Sequence, residues 1–257
     1  MKSNTILQGK GICFIKKYFL IAVFIGSSVL IIYSLASIFV HLQSYQASAK
    51  KYQQVEKVYT EVQQKDSVSP IEKLQQINDE TVGWLEIADT TINYPVVQAD
   101  DNRFYLDHNF YKEEDFVGAI FMDYRNKTDQ LDSNTIIYGH NMKDGSMFGN
   151  LKNYLDEDYY EKNRVIDFHF LGNTYKWEIF AAYKSLDTDW LQTAFQSEQS
   201  YQQYITARQQ TSVIESQVEV DQDDKLLTLS TCTNGDERER FIVHAKLIKG
   251  ENEIEEN

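Results

Sequence analysis

The chain has 257 residues, with 25 Lys and Arg against 39 Asp and Glu and a formal net charge of −14. Two prolines and eleven glycines argue against low complexity or extended disorder. The four lysines before residue 18 leave 21 of the 25 basic residues against all 39 acids, a balance of −18 that repels nucleic acid, and no basic patch with interleaved aromatics offsets it.

From the N-terminus, Lys16 and Lys17 precede an uncharged run, Tyr18 to Val40, rich in Ile, Leu, Val and Phe and long enough to cross a bilayer. Residues 1–17 are therefore expected to be a short terminus and 18–42 a transmembrane helix. A secretory signal peptide is the competing reading, but its apolar core is shorter and ends at a small-residue cleavage site, for which Ala36-Ser37 is a poor candidate. Lys2, Lys10, Lys16 and Lys17 all precede the span and no acid occurs before Glu56, so the positive-inside rule keeps the N-terminus cytoplasmic. The expectation is a single-pass protein of the cell membrane with everything after about His41 outside.

Residues 43–80 read as a helical stalk and N-terminal helices. Gln43 to Gln64 is polar and free of Gly and Pro, and Ser69-Pro70 starts a helix over Ile71 to Asp79 with Ile71, Leu74 and Ile77 on one face. Eight strands follow within an expected domain of residues 81–250: Trp84–Ile87, Ile92–Val97, Ala119–Met122, Thr135–Tyr138, Val165–Phe170, Tyr175–Tyr183, Leu226–Cys232 and Phe241–Ile248. The class is mostly β with added helices, and the count favours a closed or nearly closed barrel. A short helix over Met147 to Leu155 and a longer one over Ser197 to Ile214 interrupt the strands. The acidic tail 251–257 reads as a solvating segment, and no metal site is expected.

Cysteine usage points to chemistry. Cys13 lies before the span on the reducing side, so Cys232 is alone in the exported part and forms no intramolecular disulfide. It is either a buried small hydrophobe or a nucleophile whose thiolate a nearby cation favours. The period of two points Leu227 and Leu229 to one face and Thr228, Ser230 and Cys232 to the other, polar face. After the turn signal in Thr233-Asn234-Gly235-Asp236, Phe241, Val243, Ala245 and Leu247 share one face and Arg240 lies on the other. Antiparallel pairing would make the thiol and the guanidinium neighbours. The bland alternative for Arg240 is a surface ion pair with Glu237 or Glu239.

A cysteine nucleophile needs a proton-handling partner, usually histidine, and the chain offers five, counting the juxtamembrane His41. His169 reads as a solvent-face strand residue, His108 as part of a polar loop, and His244 as lying on the Arg240 face further along the last strand. His140 differs, because it follows the short apolar strand and Gly139 at a strand exit, where loops present functional side chains.

Together these segments resemble the sortases, membrane-anchored cysteine transpeptidases of Gram-positive bacteria. Thr228-Leu229-Ser230-Thr231-Cys232, Arg240 and Tyr138-Gly139-His140 carry the resemblance. Class B is the most similar subgroup, through Asn93-Tyr94-Pro95-Val96-Val97-Gln98, Ile120-Phe121-Met122-Asp123-Tyr124-Arg125, Met147-Phe148 and Ala182-Tyr183-Lys184. The resemblance implies a sortase-type eight-stranded β-barrel and an acyl transfer without cofactor. Cys232 would attack a C-terminal sorting pentapeptide of a surface protein to give a thioacyl-enzyme. His140 would be the acid and base, and Arg240 would bond the developing oxyanion.

The resemblance also implies substrate-binding roles for Ser230, Asn93, Val97, Trp190 and Leu191. Where relatives can carry an acidic residue after the cysteine, this chain has Thr233. The acceptor would be an amine of a peptidoglycan precursor, for wall anchoring, or a pilin amine, for pilus assembly; NPQTN-like and LPxTG-like signals are both open. A non-catalytic membrane-anchored binding module would share the topology without needing these residues in order. An L,D-transpeptidase would keep a glycine before the cysteine, and a metal hydrolase would need a His-Glu-x-x-His or paired Cys-x-x-Cys pattern that is absent here.

Overall fold

The computed structural model describes residues 4–64, 69–232 and 239–248, with the side chains of 4–17 and of Cys232 outside that description. The expected turn Thr233–Asp236, the Thr233 departure, Glu237 and the tail 251–257 also lie outside the described residues. The chain forms two compact units, Met1–Ala49 and Lys50–Asn257.

The expected span and stalk are one helix, α1 (Asn4–Gln63). Its part from Tyr18 onward exposes Phe19, Leu30, Ile31 and Tyr33 and is long and apolar enough to cross a membrane. In the second unit its last turns bury Tyr52, Val55 and Tyr59, three residues on one helical face. Tyr59 stacks on Trp84 with ring centroids 4.0 Å apart, which ties the helix to the sheet. The second helix, α2 (Pro70–Gln75), is shorter than expected. Ile77 and Asn78 both donate to the Leu74 carbonyl, and the Asn78 amide turns away to Tyr105 and Phe110, so the helix stops there.

The strands are β1 (Thr81–Glu86), β2 (Asn93–Val97), β3 (Ile120–Met122), β4 (Asn134–His140), β5 (Val165–Phe170), β6 (Asn173–Ser185), β7 (Leu226–Cys232) and β8 (Arg240–Leu247). They close into a barrel in the order β1-β2-β3-β4-β7-β8-β6-β5. Only β2–β3 and β4–β7 are parallel. Met122, Ile137, Leu229 and Val243 share one register row across β3, β4, β7 and β8, and all are buried. Closure leaves no sheet edge open, and the apolar row fills the inside.

Two helical expectations need adjustment. Over Met147 to Leu155 only a 3₁₀ turn, Leu151–Leu155, forms, because Met147 takes the left-handed φ of 51°. Instead α3 (Glu157–Lys162) starts just after it, where the Asp156 carboxylate accepts from the Tyr159 amide at 3.0 Å. The helix expected over Ser197 to Ile214 is α4 (Glu198–Thr211), opened by a capping box between Ser197 and Ser200. Its Tyr201, Tyr204 and Ile205 pack on Phe180 and Leu226. The polar face of β7 is covered: Thr228 and Ser230 are buried, and Thr228 bonds Asn134 and His244 rather than solvent.

His244 lies in this covered layer. Tyr183 Oη and Thr228 Oγ1 bond its two ring nitrogens at 2.8 and 2.9 Å. Burial, and then the Arg208 charge, push its pKa down to about 3 against a smaller opposing effect of Asp189. An unfolded histidine titrates near about 6.5, so the neutral buried ring contributes stability above that pH, and the contribution is lost as pH falls toward the folded value. The loss amounts to about 1.4 kcal/mol per pH unit. Urea unfolding between pH 7 and pH 4.5 should therefore show a shallower acid loss for His244→Gln than for the parent chain. Parallel slopes would contradict this.

Candidate active site

The site begins at the end of β4, where every residue is buried. Gly139 is required there by contact: a Cβ would run into Ile120 Cδ1 and come within 2.8 Å of the Phe148 ring. The strand thus carries His140 past two large side chains into a pocket where it is only 1% exposed. Gly118, at φ +62°, is the pocket's other tight point, since a Cβ there would stand 2.8 Å from His140 Cδ2.

His140 Nε2 lies 2.6 Å from the carbonyl oxygen of Leu106. A carbonyl only accepts, so this contact assigns the proton of the neutral ring to Nε2 and leaves Nδ1 as the acceptor. The loop bearing Leu106 is held by Ala119 donating to Tyr105 and Asp115 donating to Asp107. Burial lowers the His140 pKa; the Leu106 carbonyl opposes the shift, the Arg240 charge adds to it, and the net direction is down. At neutral pH the resting imidazole is uncharged.

Strand register brings the other two candidates to this row. In the parallel β4–β7 pair, His140 is paired with Cys232. The antiparallel β7–β8 pair runs from Leu226 opposite Lys246 to Ser230 opposite Ile242, and the same register carried two residues further sets Cys232 opposite Arg240. His140, Cys232 and Arg240 therefore occupy neighbouring positions on three adjacent strands. Arg240 Nη1 donates to the Thr231 carbonyl at 3.2 Å, and the Phe241 amide donates to Thr231 Oγ1 at 3.0 Å, which locks the start of β8 to the end of β7. Glu239 pairs instead with Lys184 at 3.2 Å.

A cavity of about 390 Å³ opens beside this row, lined by Arg240, Leu106, Phe121 and Tyr138 and by Trp190 and Leu191 of the loop between β6 and α4. Its mixed apolar and polar lining, from Leu186 to Asn102 and Thr188, suits an extended peptide better than a small charged molecule. Ser230 sits two pairs along from Cys232 and is wholly buried, with its hydroxyl 3.4 Å from the Thr231 carbonyl. Val97 is buried on β2 and paired with Phe121, a lining residue. Asn93 faces elsewhere: its amide accepts from Trp84 Nε1 at 2.6 Å and donates to Glu56 at 2.9 Å.

Like His244, His169 and His108 are committed to structure. His169 accepts or donates to Tyr59 Oη at 3.0 Å and is half-covered by α1 rather than facing solvent. His108 stacks on Phe104 and pairs with Asp107. Residue order alone carries no sign of the Leu106 carbonyl, a backbone group 34 residues from His140. It also left Asn102, Asp123 and Arg125 without a role, although Asp123 and Arg125 stand in a recognisable stretch. In the structure the buried Asp123 carboxylate takes both Nε and Nη2 of Arg125 and the Tyr138 hydroxyl. Burial alone would raise its pKa, but these hydrogen bonds outweigh that and hold it below the usual carboxylate value.

A sortase domain model matches residues 85–248. The chain belongs to the sortase family. Sortase B of Staphylococcus aureus is 36% identical over 220 residues, covering 84% of this chain and 90% of that protein. Sortase B of Listeria monocytogenes is 44% identical over 178 residues, covering 68% of this chain and 72% of the relative. A solved Staphylococcus aureus sortase B–substrate complex superposes with a TM-score of 0.76 at 36% identity, covering 79% of this chain and 97% of that one. The barrel is a class B sortase barrel, and the protein is a cysteine transpeptidase of the kind that anchors proteins to the cell wall.

In this sortase the proximity of Arg240 to His140 has a measurable consequence. Because the guanidinium disfavours a protonated imidazole, Arg240→Ala should raise the His140 pKa. Proton NMR titration of the ring, with His140→Gln to identify its signal, measures this. An unchanged or lower value would show that the two groups do not interact.

Proposed function

We propose that Cys232, His140 and Arg240 carry out acyl transfer from the C-terminal sorting signal of a surface protein to an amine of peptidoglycan. The observation that carries this reading is the pairing of His140 with Cys232, with Arg240 bonded to the adjoining Thr231 carbonyl and lining a cavity of about 390 Å³. The proton of the Cys232 thiol passes to Nδ1 of the neutral His140, and the thiolate attacks the carbonyl before the scissile bond. Arg240 donates to the oxyanion that forms. As the tetrahedral centre collapses, His140 returns the proton to the departing amine, leaving a thioester. An incoming amine then attacks, His140 takes its surplus proton, and as the thiolate leaves His140 passes that proton to it, restoring the thiol and the neutral ring. Each proton removed is thus returned over one turnover.

The charge of Arg240 acts in opposite directions on its two neighbours. It favours a thiolate and disfavours an imidazolium, which keeps His140 free to accept the proton at the moment of attack. Trp190 and Leu191 form one wall of the cavity for the sorting peptide, with Ser230 near the nucleophile. Val97 acts from beside Phe121, its strand partner, and Asn93 supports β1 and α1 rather than the peptide. The apolar part of α1 anchors the enzyme as a single membrane pass, and the four lysines before it keep the N-terminus inside and the barrel outside.

Cleavage of a quenched fluorescent sorting peptide tests the roles. Cys232→Ala and His140→Ala should each lower kcat/KM by about 10³-fold or more, and Arg240→Ala by about 10²–10³-fold, with unchanged circular dichroism. Turnover by Cys232→Ala at the parent rate would refute the mechanism, and turnover by His140→Ala at that rate would refute the proton carrier.

A further inference from the structure

Asp123 gathers groups from several segments around the cavity. Its Oδ1 accepts from Arg125 Nε at 2.8 Å and from the Arg125 amide at 2.9 Å. Its Oδ2 accepts from Arg125 Nη2 at 2.6 Å, from Tyr138 Oη at 2.7 Å and from Asn102 Nδ2 at 3.0 Å. The remaining Arg125 nitrogen, Nη1, donates to the Leu191 carbonyl at 3.2 Å. Tyr138, Asn102 and Leu191 all line the cavity, and they come from β4, from the connection between β2 and β3, and from the loop between β6 and α4. The Asp123 side chain is itself fully buried, so these bonds are shielded from water.

We propose that Asp123 and Arg125 are positioning residues for the acyl-donor cavity, a clasp that sets the spacing between the Leu191 wall, Tyr138 and Asn102 and thereby the affinity for the sorting peptide. The inference rests on the acyl-transfer reading above. The loop between β6 and α4 is pinned on its other side as well, since Tyr204 Oη donates to the Trp190 carbonyl at 2.9 Å and Asn134 Nδ2 to the Gln192 carbonyl at 2.7 Å. Those bonds tie the loop to α4 and β4 only. The Asp123–Arg125 pair is what joins it to Asn102. A lysine at 125 would keep the charge and lose the fork that holds both the carboxylate and the carbonyl. Neither residue belongs to the row of reacting groups, so loosening the clasp acts on peptide binding and leaves the chemistry of Cys232 in place.

The test compares Arg125→Gln, Arg125→Lys and Asp123→Asn with the parent enzyme. Arg125 is 37% exposed, so its variants keep the fold even where Asp123→Asn does not. Three readouts are needed: steady-state cleavage of a sorting peptide, the pH profile of Cys232 alkylation by iodoacetamide, and acrylamide quenching of Trp190, isolated by difference against Trp190→Phe. The expected result is a KM raised about tenfold with kcat within about twofold in both Arg125 variants, the worth of one charge-assisted bond. The alkylation profile should stay in place and Trp190 should become more accessible. An unchanged KM, a fall in kcat alone, or unchanged quenching of Trp190 would overturn the clasp. If the parent enzyme cleaves no sorting peptide, the acyl-transfer reading fails by itself, while the Trp190 measurement still decides whether the clasp holds the wall.

Discussion

Everything at the site depends on strand register in the ribbon β4–β7–β8. The parallel β4–β7 pair places His140 against Cys232, and β8, antiparallel to β7, brings Arg240 onto the Thr231 carbonyl. A slip of one residue in either pair would turn one partner to the barrel interior. The register is fixed three pairs further along, where Ile137, Leu229 and Val243 meet as buried apolar neighbours and could not exchange places with the polar set without burying it unpaired. The apolar core of the barrel and the chemistry of its rim are thus two faces of the same pairing.

The layer behind the rim shows how the polar face is made safe to bury. Thr228 bonds both His244 and Asn134, His244 bonds Tyr183, and Tyr183 accepts from Arg208, whose charge is met by Asp189. α4 closes this layer and at the same time holds the loop bearing Trp190 and Leu191 through Tyr204 and Arg208. One helix inserted before the cysteine strand therefore both seals the polar network and shapes the peptide cavity. That economy links the stability of the neutral His244 to the integrity of the cavity wall.

The barrel was readable because period-two alternation with turn signals locates strands well, and all eight stand near their expected places. Helix ends were less readable. The start of α4 at Ser197 and of α3 at Asp156 follows from side-chain caps written in the sequence, but the early stop of α2 depends on Asn78 finding Tyr105 and Phe110 across the fold. The row of His140, Cys232 and Arg240 was legible from residue types at strand ends. The Leu106 carbonyl was not, because any residue supplies a carbonyl and only the path of the loop decides which one reaches the imidazole. Asn93 shows the converse: its side chain is spent on Trp84 and Glu56, a pairing visible only once α1 lies on β1 and β2.

Intact-mass spectrometry of the enzyme mixed with NPQTN-like and LPxTG-like peptides, with and without an amine, tests the proposed role of Cys232 most directly. The prediction is an acyl adduct that maps to Cys232, accumulates without amine and is discharged when amine is added. Peptide cleavage without any adduct at Cys232, or an adduct that amine leaves in place, would contradict acyl transfer through this cysteine.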